Sequence, residues 1–343
     1  MELEHLQMLW FGIFAILVTG YAVLDGFDLG VGILQPLFSK DDYDRRVMLN
    51  TIGPVWDGNE VWLVTAGGAL FAGFPAVYAT FFSALYTPFM VLLAALIFRA
   101  VAIEFRSKKP MKWWRSCWDW MFSLSSLVIT LCMGVALGKL VTGIPLDAQQ
   151  EFNGSLGDLF DPYSLLMAVT ATALFTMHGC IYAVMKTEGE THDRLRVWVN
   201  PTIIFFIICY ALLTMVTLIY LPHMTEALRD RPIFFLLAVF NMLAIANIPR
   251  EISRGKDGRA FLCSSLSIIF LMLLFAVGTF PTVLRASNDP EHLSLTIYNA
   301  SSSYLTLKTL LIIAGIGFPM IISYTIGIYW VFRGKVKLDK TSY

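Results

Sequence analysis

Apolar residues run along this chain in blocks of about twenty, separated by short polar stretches rich in Lys and Arg. About 20 apolar residues are needed for a helix to cross a bilayer. Nine blocks qualify as candidate crossings: residues 9–33, 52–74, 78–104, 118–141, 163–186, 199–221, 233–250, 260–281 and 306–333. The pattern predicts an all-α polytopic membrane protein of nine transmembrane helices. Tyr21-Ala22-Val23 near the end of the first block is echoed by Tyr182-Ala183-Val184 at the end of the fifth. That echo is compatible with two four-helix bundles, residues 1–142 and 143–282, followed by an outer loop, a peripheral ninth helix and a tail over 283–343.

The loop charges agree with this count. Of the 25 Lys and Arg residues, 19 fall in alternate loops (positions 40–46, 106–115, 186–196, 250–259 and 333–340) and five on the other side. Basic residues collect on the cytoplasmic side of a membrane. The expectation is therefore an N-terminus outside and a C-terminus in the cytoplasm of a prokaryotic cell. The N-terminal MELEHLQM carries no Lys or Arg, so it lacks the basic region of a secretory signal. The longest outer loops, near 142–162 and 282–305, are solvated connections, the first made acidic by Asp147, Glu151, Asp158 and Asp161.

Composition places the chain outside the soluble class. It is 57% hydrophobic and 15% charged, where soluble domains carry roughly 25% charged residues. A net charge of zero gives no field for nucleic acid. Five cysteines lie scattered without a CxxC, which reads as small buried hydrophobes and neither a disulfide framework nor a thiolate metal site.

The polar residues inside the blocks carry the chemistry. Asp25 and Asp28 lie in the first, Asp57 and Glu60 in the second. Both pairs have i,i+3 spacing, so each shares one helix face. A carboxylate in lipid is expensive and is rarely there without a partner or a task. Arg99 and Glu104 in the third block, and His178 in the fifth, fall at a similar depth on the cytoplasmic side. One Arg cannot neutralise four acids, and a buried carboxyl without a cation tends to hold a proton. Proton handling from the cytoplasmic side is the reading that follows. A full pore needs polar groups through both halves, which this chain lacks. Gly26 and Gly30, and Gly134 and Gly138, form small-residue stripes that let helices approach closely. His178 is the only histidine within a block, so no pair of histidines at one depth is available for a bis-His haem. Two other classes fit a helical chain with buried acids: a proton-coupled secondary transporter, whose polar groups belong at the bilayer midplane, and a purely structural subunit whose acids are inert.

The stretches YAVLDGFDLGVGIL (21–34), DRRVMLNTIGPVWDGNEVWLVTAGGALFAGFP (44–75), FRAVAIEFRSK (98–108), WRSCWDW (114–120) and SLTIYNASSSYLTL (294–307) resemble subunit II of cytochrome bd-type quinol oxidases, in order and spacing over nearly the whole chain. The resemblance implies a subunit that ligates no haem or metal and has no catalytic residue of its own. Its partner would be a haem-bearing subunit I, with haem b and in most members haem d, which oxidises quinol. The two would form a pseudo-symmetric heterodimer, joined in some enzymes by a small single-span subunit. It further implies a cytoplasmic proton path for reduction of O2 to water. Asp57 would be its main carboxylate, Trp56 would line it, and Asp25 and Asp28 would be nearby members. Position 60 is Glu here, where some members carry Gln.

Overall fold

Helices carry this chain back and forth between two ends, in a computed structural model that describes residues 2–338 and 342. Lys340, counted above among the basic residues, lies outside the described residues, as does Met1. Thirteen α-helices occur among those residues: α1 Leu3–Phe38, α2 Asp42–Ile52, α3 Trp56–Gly73, α4 Pro75–Ala84, α5 Tyr86–Phe105, α6 Lys112–Thr142, α7 Pro162–Lys186, α8 Gly189–Tyr220, α9 His223–Asp230, α10 Phe235–Ser253, α11 Asp257–Thr279, α12 Pro290–Leu293 and α13 Tyr304–Val331. A two-stranded antiparallel ribbon, β1 Thr282–Leu284 with β2 Leu295–Thr296, closes the loop before the last helix.

Eight of the helical segments are long and apolar enough to cross a membrane. The remaining expected crossing, 52–74, is α3. At 18 residues it is short, and its first turns hold Asp57, Asn59 and Glu60. The block expected over 78–104 is not one helix. It breaks at Leu85, whose backbone (φ −94°, ψ 22°) leaves the helical region, so α4 and α5 meet at a bend. Periodicity could not show this break, because both sides of it are equally apolar.

Polar contacts sort the helix ends. At one end Arg106 holds Asp119 (2.5 Å) and Asp42 (2.8 Å), Arg45 reaches Asp119, and Arg194 holds Asp44 (2.8 Å) and the Phe38 carbonyl. Arg196 donates to the Ile252 carbonyl and Lys186 to that of Phe332. These contacts join all five basic stretches into one basic end. At the far end Gln7 donates to Ser301, Thr80 to the Gln150 carbonyl, and Ser302 to the Gly73 carbonyl. Backbone bonds tie Ile144 to Arg285 and Ser287 there.

Helix α7 is the hub, packed against α1, α6, α8 and α11. Both glycine stripes meet it. A Cβ on Gly30 would fall 1.8 Å from the Phe175 carbonyl oxygen, and one on Gly134 would fall 2.4 Å from the Ala168 Cα. Backbones this close leave room for no side chain, and the contact is van der Waals packing of helix on helix. Of the cysteines, Cys180 and Cys209 are buried as expected of small hydrophobes, and Cys132 and Cys263 are half-buried. Cys117 is exposed, contrary to that expectation, on the outward side of the first turns of α6.

Candidate functional site

The spacing of Asp25 and Asp28 puts both on the face of α1 that meets α3 and receives Arg99 from α5. All three side chains are fully buried. Arg99 grips Asp25 with both arms of its guanidinium, Nη1 to Oδ2 at 3.1 Å and Nη2 to Oδ1 at 2.7 Å. This two-pronged pairing is the strong form of the interaction. The same guanidinium lies 3.9 Å from Asp28 Oδ2 and 4.0 Å from Glu60 Oε2. One cation thus serves three carboxylates.

Neutral groups complete the cluster. Asn59 Nδ2 donates to Asp28 Oδ2 (2.8 Å) and to the Leu24 carbonyl (3.0 Å). Tyr329, on α13, donates to Asn59 Oδ1 (2.9 Å). Asp28 Oδ1 is buried without a hydrogen-bond partner. Glu60 is about one-fifth exposed (21%), and Asp57, one turn earlier on α3, is open at the surface. Trp56 is half-buried and packs against the apolar core.

The structure therefore brings together Asp25, Asp28, Glu60 and Arg99. It places Asp57 and Trp56 at the rim of that group and Glu104 in the last turn of α5, half-buried. His178 belongs elsewhere. Its Nε2 donates to the Val23 carbonyl (3.0 Å), its Nδ1 lies 2.7 Å from Ser264 Oγ, and its ring stacks on Phe261 at 4.9 Å. It braces α1, α7 and α11. Sequence reasoning missed Asn59, although it sits inside the WDGNEVWL block, and missed Tyr329, which is 270 positions away and shows no signal of its own. The Arg106–Asp119 pair was also missed, although Asp119 lies in the WRSCWDW stretch.

On the far side of Tyr21, one helical turn from Asp25, lies an apolar cavity of about 830 Å³, lined by Phe14, Leu63, Phe71, Phe82 and Phe89 among others. The Tyr21 hydroxyl at its edge has no hydrogen-bond partner. Among the described residues, no group of three or more His, Cys, Asp or Glu is arranged to hold a metal ion.

A multi-pass helical bundle with an acid-rich cluster buried near its basic end is the class these features define. The chain belongs to the cytochrome bd terminal oxidase subunit II family, whose model matches residues 6–332. It is 33% identical to the cytochrome bd-I ubiquinol oxidase subunit 2 of Escherichia coli, over 98% of this chain and 96% of that protein. It is 35% identical to the cytochrome bd ubiquinol oxidase subunit 2 of Bacillus subtilis, over 97% of this chain and 98% of that protein. Its fold is similar to a chain in the structure of bd oxidase from Geobacillus thermodenitrificans, with a TM-score of 0.80 at 16% identity, covering 96% of this chain and 98% of that one.

Proposed function

We propose that this chain delivers protons from the cytoplasm to the oxygen-reducing centre of a membrane quinol oxidase, and scaffolds the subunit that holds that centre. The partner is a haem-bearing subunit I with haem b and, as in most members of the family, haem d, which oxidises quinol; in some enzymes of the family a small single-span subunit joins them. The chain sits in the prokaryotic cell membrane with its basic end in the cytoplasm. Helix α3 serves as the ninth crossing, and two four-helix units (1–142 and 143–282) precede the peripheral α13. The chain itself ligates no haem. Both ring nitrogens of His178, the intramembrane histidine, are already engaged by Val23 and Ser264.

The observation that carries the reading is a gradient. Carboxylates run from exposed Asp57 through part-exposed Glu60 to buried Asp28 and Asp25. Three of them share one guanidinium. Fully ionised, that group would hold two surplus negative charges in one buried site, where like charges repel and each disfavours ionisation of the others. Protons relieve the repulsion, so the cluster is a store that fills from the Asp57 side. The rival reading, inert acids holding helices together, draws support from the two-pronged Arg99–Asp25 pair, which needs no proton.

The two separate on one experiment. In the assembled complex, Asp57→Asn keeps side-chain volume and hydrogen-bonding capacity but removes the acid. We expect O2 consumption with quinol to fall by on the order of tenfold or more, with haem content and quinol-driven haem reduction preserved. Full turnover in Asp57→Asn would leave the scaffold role standing alone.

A further inference from the structure

Helix α13 is the least buried of the long helices, with 6% of its most apolar window covered, yet it is pinned at both ends. Near its start Trp10 donates to the Leu307 carbonyl (3.0 Å). Near its finish the Tyr324 ring lies against Gly58, where a Cβ would come 3.1 Å from Cε1. One turn later the Tyr329 hydroxyl points inward and bonds Asn59. Most other large residues of α13, such as Ile312, Ile316, Met320 and Ile326, face outward. The inner part of this helix is thus seated on the turn of α3 that carries the acids.

The chemistry of the contact fixes its direction. A backbone carbonyl only accepts, so the Asn59 atom 3.0 Å from the Leu24 oxygen is the amide nitrogen. Its second hydrogen goes to Asp28 Oδ2. The amide oxygen then faces Tyr329, and because that oxygen only accepts, Tyr329 must donate. The two oxygens of Asp28 are therefore unequal. Oδ2 faces an N–H and lies 3.9 Å from Arg99, so a proton placed there would point donor at donor. Oδ1 is buried with no partner.

We propose that Tyr329 and Asn59 are positioning residues of the proton path: Tyr329 holds the Asn59 amide with its nitrogen toward Asp28, which reserves Oδ2 as acceptor and makes Oδ1 the atom that gains and loses the proton. This rests on the proton-delivery reading above. The other titratable and charged groups around Asp28 are Asp25 on α1, Glu60 on α3, Arg99 on α5 and Tyr182 on α7. Tyr182 donates to the Thr51 carbonyl (3.1 Å). On α2 and α6, Arg45 and Asp119 pair with each other at the basic end. None of these reaches the Asn59 oxygen in place of Tyr329, so the amide is held at its nitrogen by the Leu24 carbonyl and at its oxygen by the hydroxyl of one residue on the peripheral helix.

The test uses the whole complex in five forms: unmodified, Tyr329→Phe, Asn59→Leu, the double variant, and Asp28→Asn. Two readouts are taken, the pH profile of O2 consumption and the infrared difference spectrum on reduction in the carboxylic-acid C=O region. The band that disappears in Asp28→Asn is the Asp28 signal. Tyr329→Phe keeps haem content, shifts that band, and moves the alkaline limb of the profile to higher pH by about half a unit to one unit, the equivalent of one neutral hydrogen bond. Asn59→Leu moves both readouts at least as far, and adding Tyr329→Phe to it changes neither, because Tyr329 acts only through Asn59. Should Asn59→Leu fail to assemble, the infrared shift in Tyr329→Phe alone decides. If Asp28→Asn alters turnover while Tyr329→Phe leaves band and profile untouched, or if the two single effects simply add, the positioning role is overturned and proton delivery stands. If Asp28→Asn itself leaves turnover and profile unchanged, delivery through Asp28 fails and the positioning role with it.

Discussion

A carboxylate can also serve this chain by capping a helix, as Asp161 does. It precedes Pro162 at the start of α7 and accepts from the N–H groups of Tyr163 and Ser164, both at 3.0 Å. It also accepts from Ser164 Oγ (2.6 Å) and pairs with Lys139 (3.1 Å). Burial pushes its carboxyl up, but the Ser164 bonds and Lys139 outweigh that and hold it below the usual carboxylate range. A depressed folded value means that the stabilisation is complete above about pH 4, the unfolded value, and is lost as pH falls through the folded value. Asp161→Ala is expected to lower stability by about 1–2 kcal/mol at pH 7, the range for a lost N-cap. Thermal unfolding of the purified complex measures it, and the gap between variant and parent should narrow below pH 4. A gap of constant size down to pH 3 would mean that the ionised form contributes nothing. The loop acids had read as solvation only. In the structure Asp147 accepts from Gln149 and Glu151 backbone N–H groups and Asp158 from Ser155, so they shape the backbone as well. The Asp-Pro pair ahead of an apolar run was the available sign of a cap. For Tyr329 no comparable sign exists: a tyrosine near the end of an apolar helix is unremarkable until the fold sets it beside Asn59.

Helices were the most legible level, because a bilayer imposes a length that twenty apolar residues record directly. The partners of each helix were not. Gly26 and Gly30, and Gly134 and Gly138, announced close packing, yet nothing in the spacing says that both stripes press on α7. That is decided by which backbones fit together. Gly30 and Gly179 are mutual neighbours: a Cβ on Gly179 would sit 2.4 Å from the Val31 nitrogen. Gly30→Ala therefore forces α1 and α7 apart along the segment that carries both Asp28 and His178. Overpacking of this kind costs typically 1–3 kcal/mol, and here the obstacle is backbone, which cannot rotate away. The expected outcome is loss of assembled, haem-containing complex in the membrane, read from the reduced-minus-oxidised spectrum. Gly67→Ala on α3 is the control, since a Cβ there meets nothing within 4 Å; it should assemble normally. The acid cluster was half-legible for a related reason. Asp25, Asp28, Glu60 and Arg99 stand out as charges inside apolar runs. Which acid Arg99 grips depends on how α1, α3 and α5 are rotated about their axes, and that is set by packing. The same packing leaves Asp57 at the surface, and that of α7 on α11 sets His178 against Ser264.

Over the whole molecule, one asymmetry ties charge to direction. The basic stretches gather at one end through Arg106–Asp119, Arg194–Asp44 and the Arg196 contact with Ile252. The far end is closed by neutral hydrogen bonds such as Gln7–Ser301 and Ser302–Gly73. Basic residues stay on the cytoplasmic side, and the proposed orientation accordingly turns the Asp57 edge of the acid cluster toward the cytoplasm. The deciding element is α3, whose polar first turns keep an 18-residue helix from qualifying as a crossing on apolarity alone. Its position in the fold argues that it crosses: its first turns bond α1 near the basic end through Asn59, and its last carbonyls bond Ser302 at the far end. With α3 crossing, the two termini lie on opposite sides of the membrane. With eight crossings, they would lie on the same side. Reporters fused to the N-terminus and to the C-terminus of the full chain, co-expressed with its partner, read this directly. The expected result is an outside signal at the N-terminus and a cytoplasmic one at the C-terminus, with outside signals from insertions after residues 150, 225 and 290. Both termini reporting the same side would take α3 out of the membrane. The Asp57–Glu60 edge would then lose its place at the entrance to the buried carboxylates, and proton delivery along α3 would fall with it.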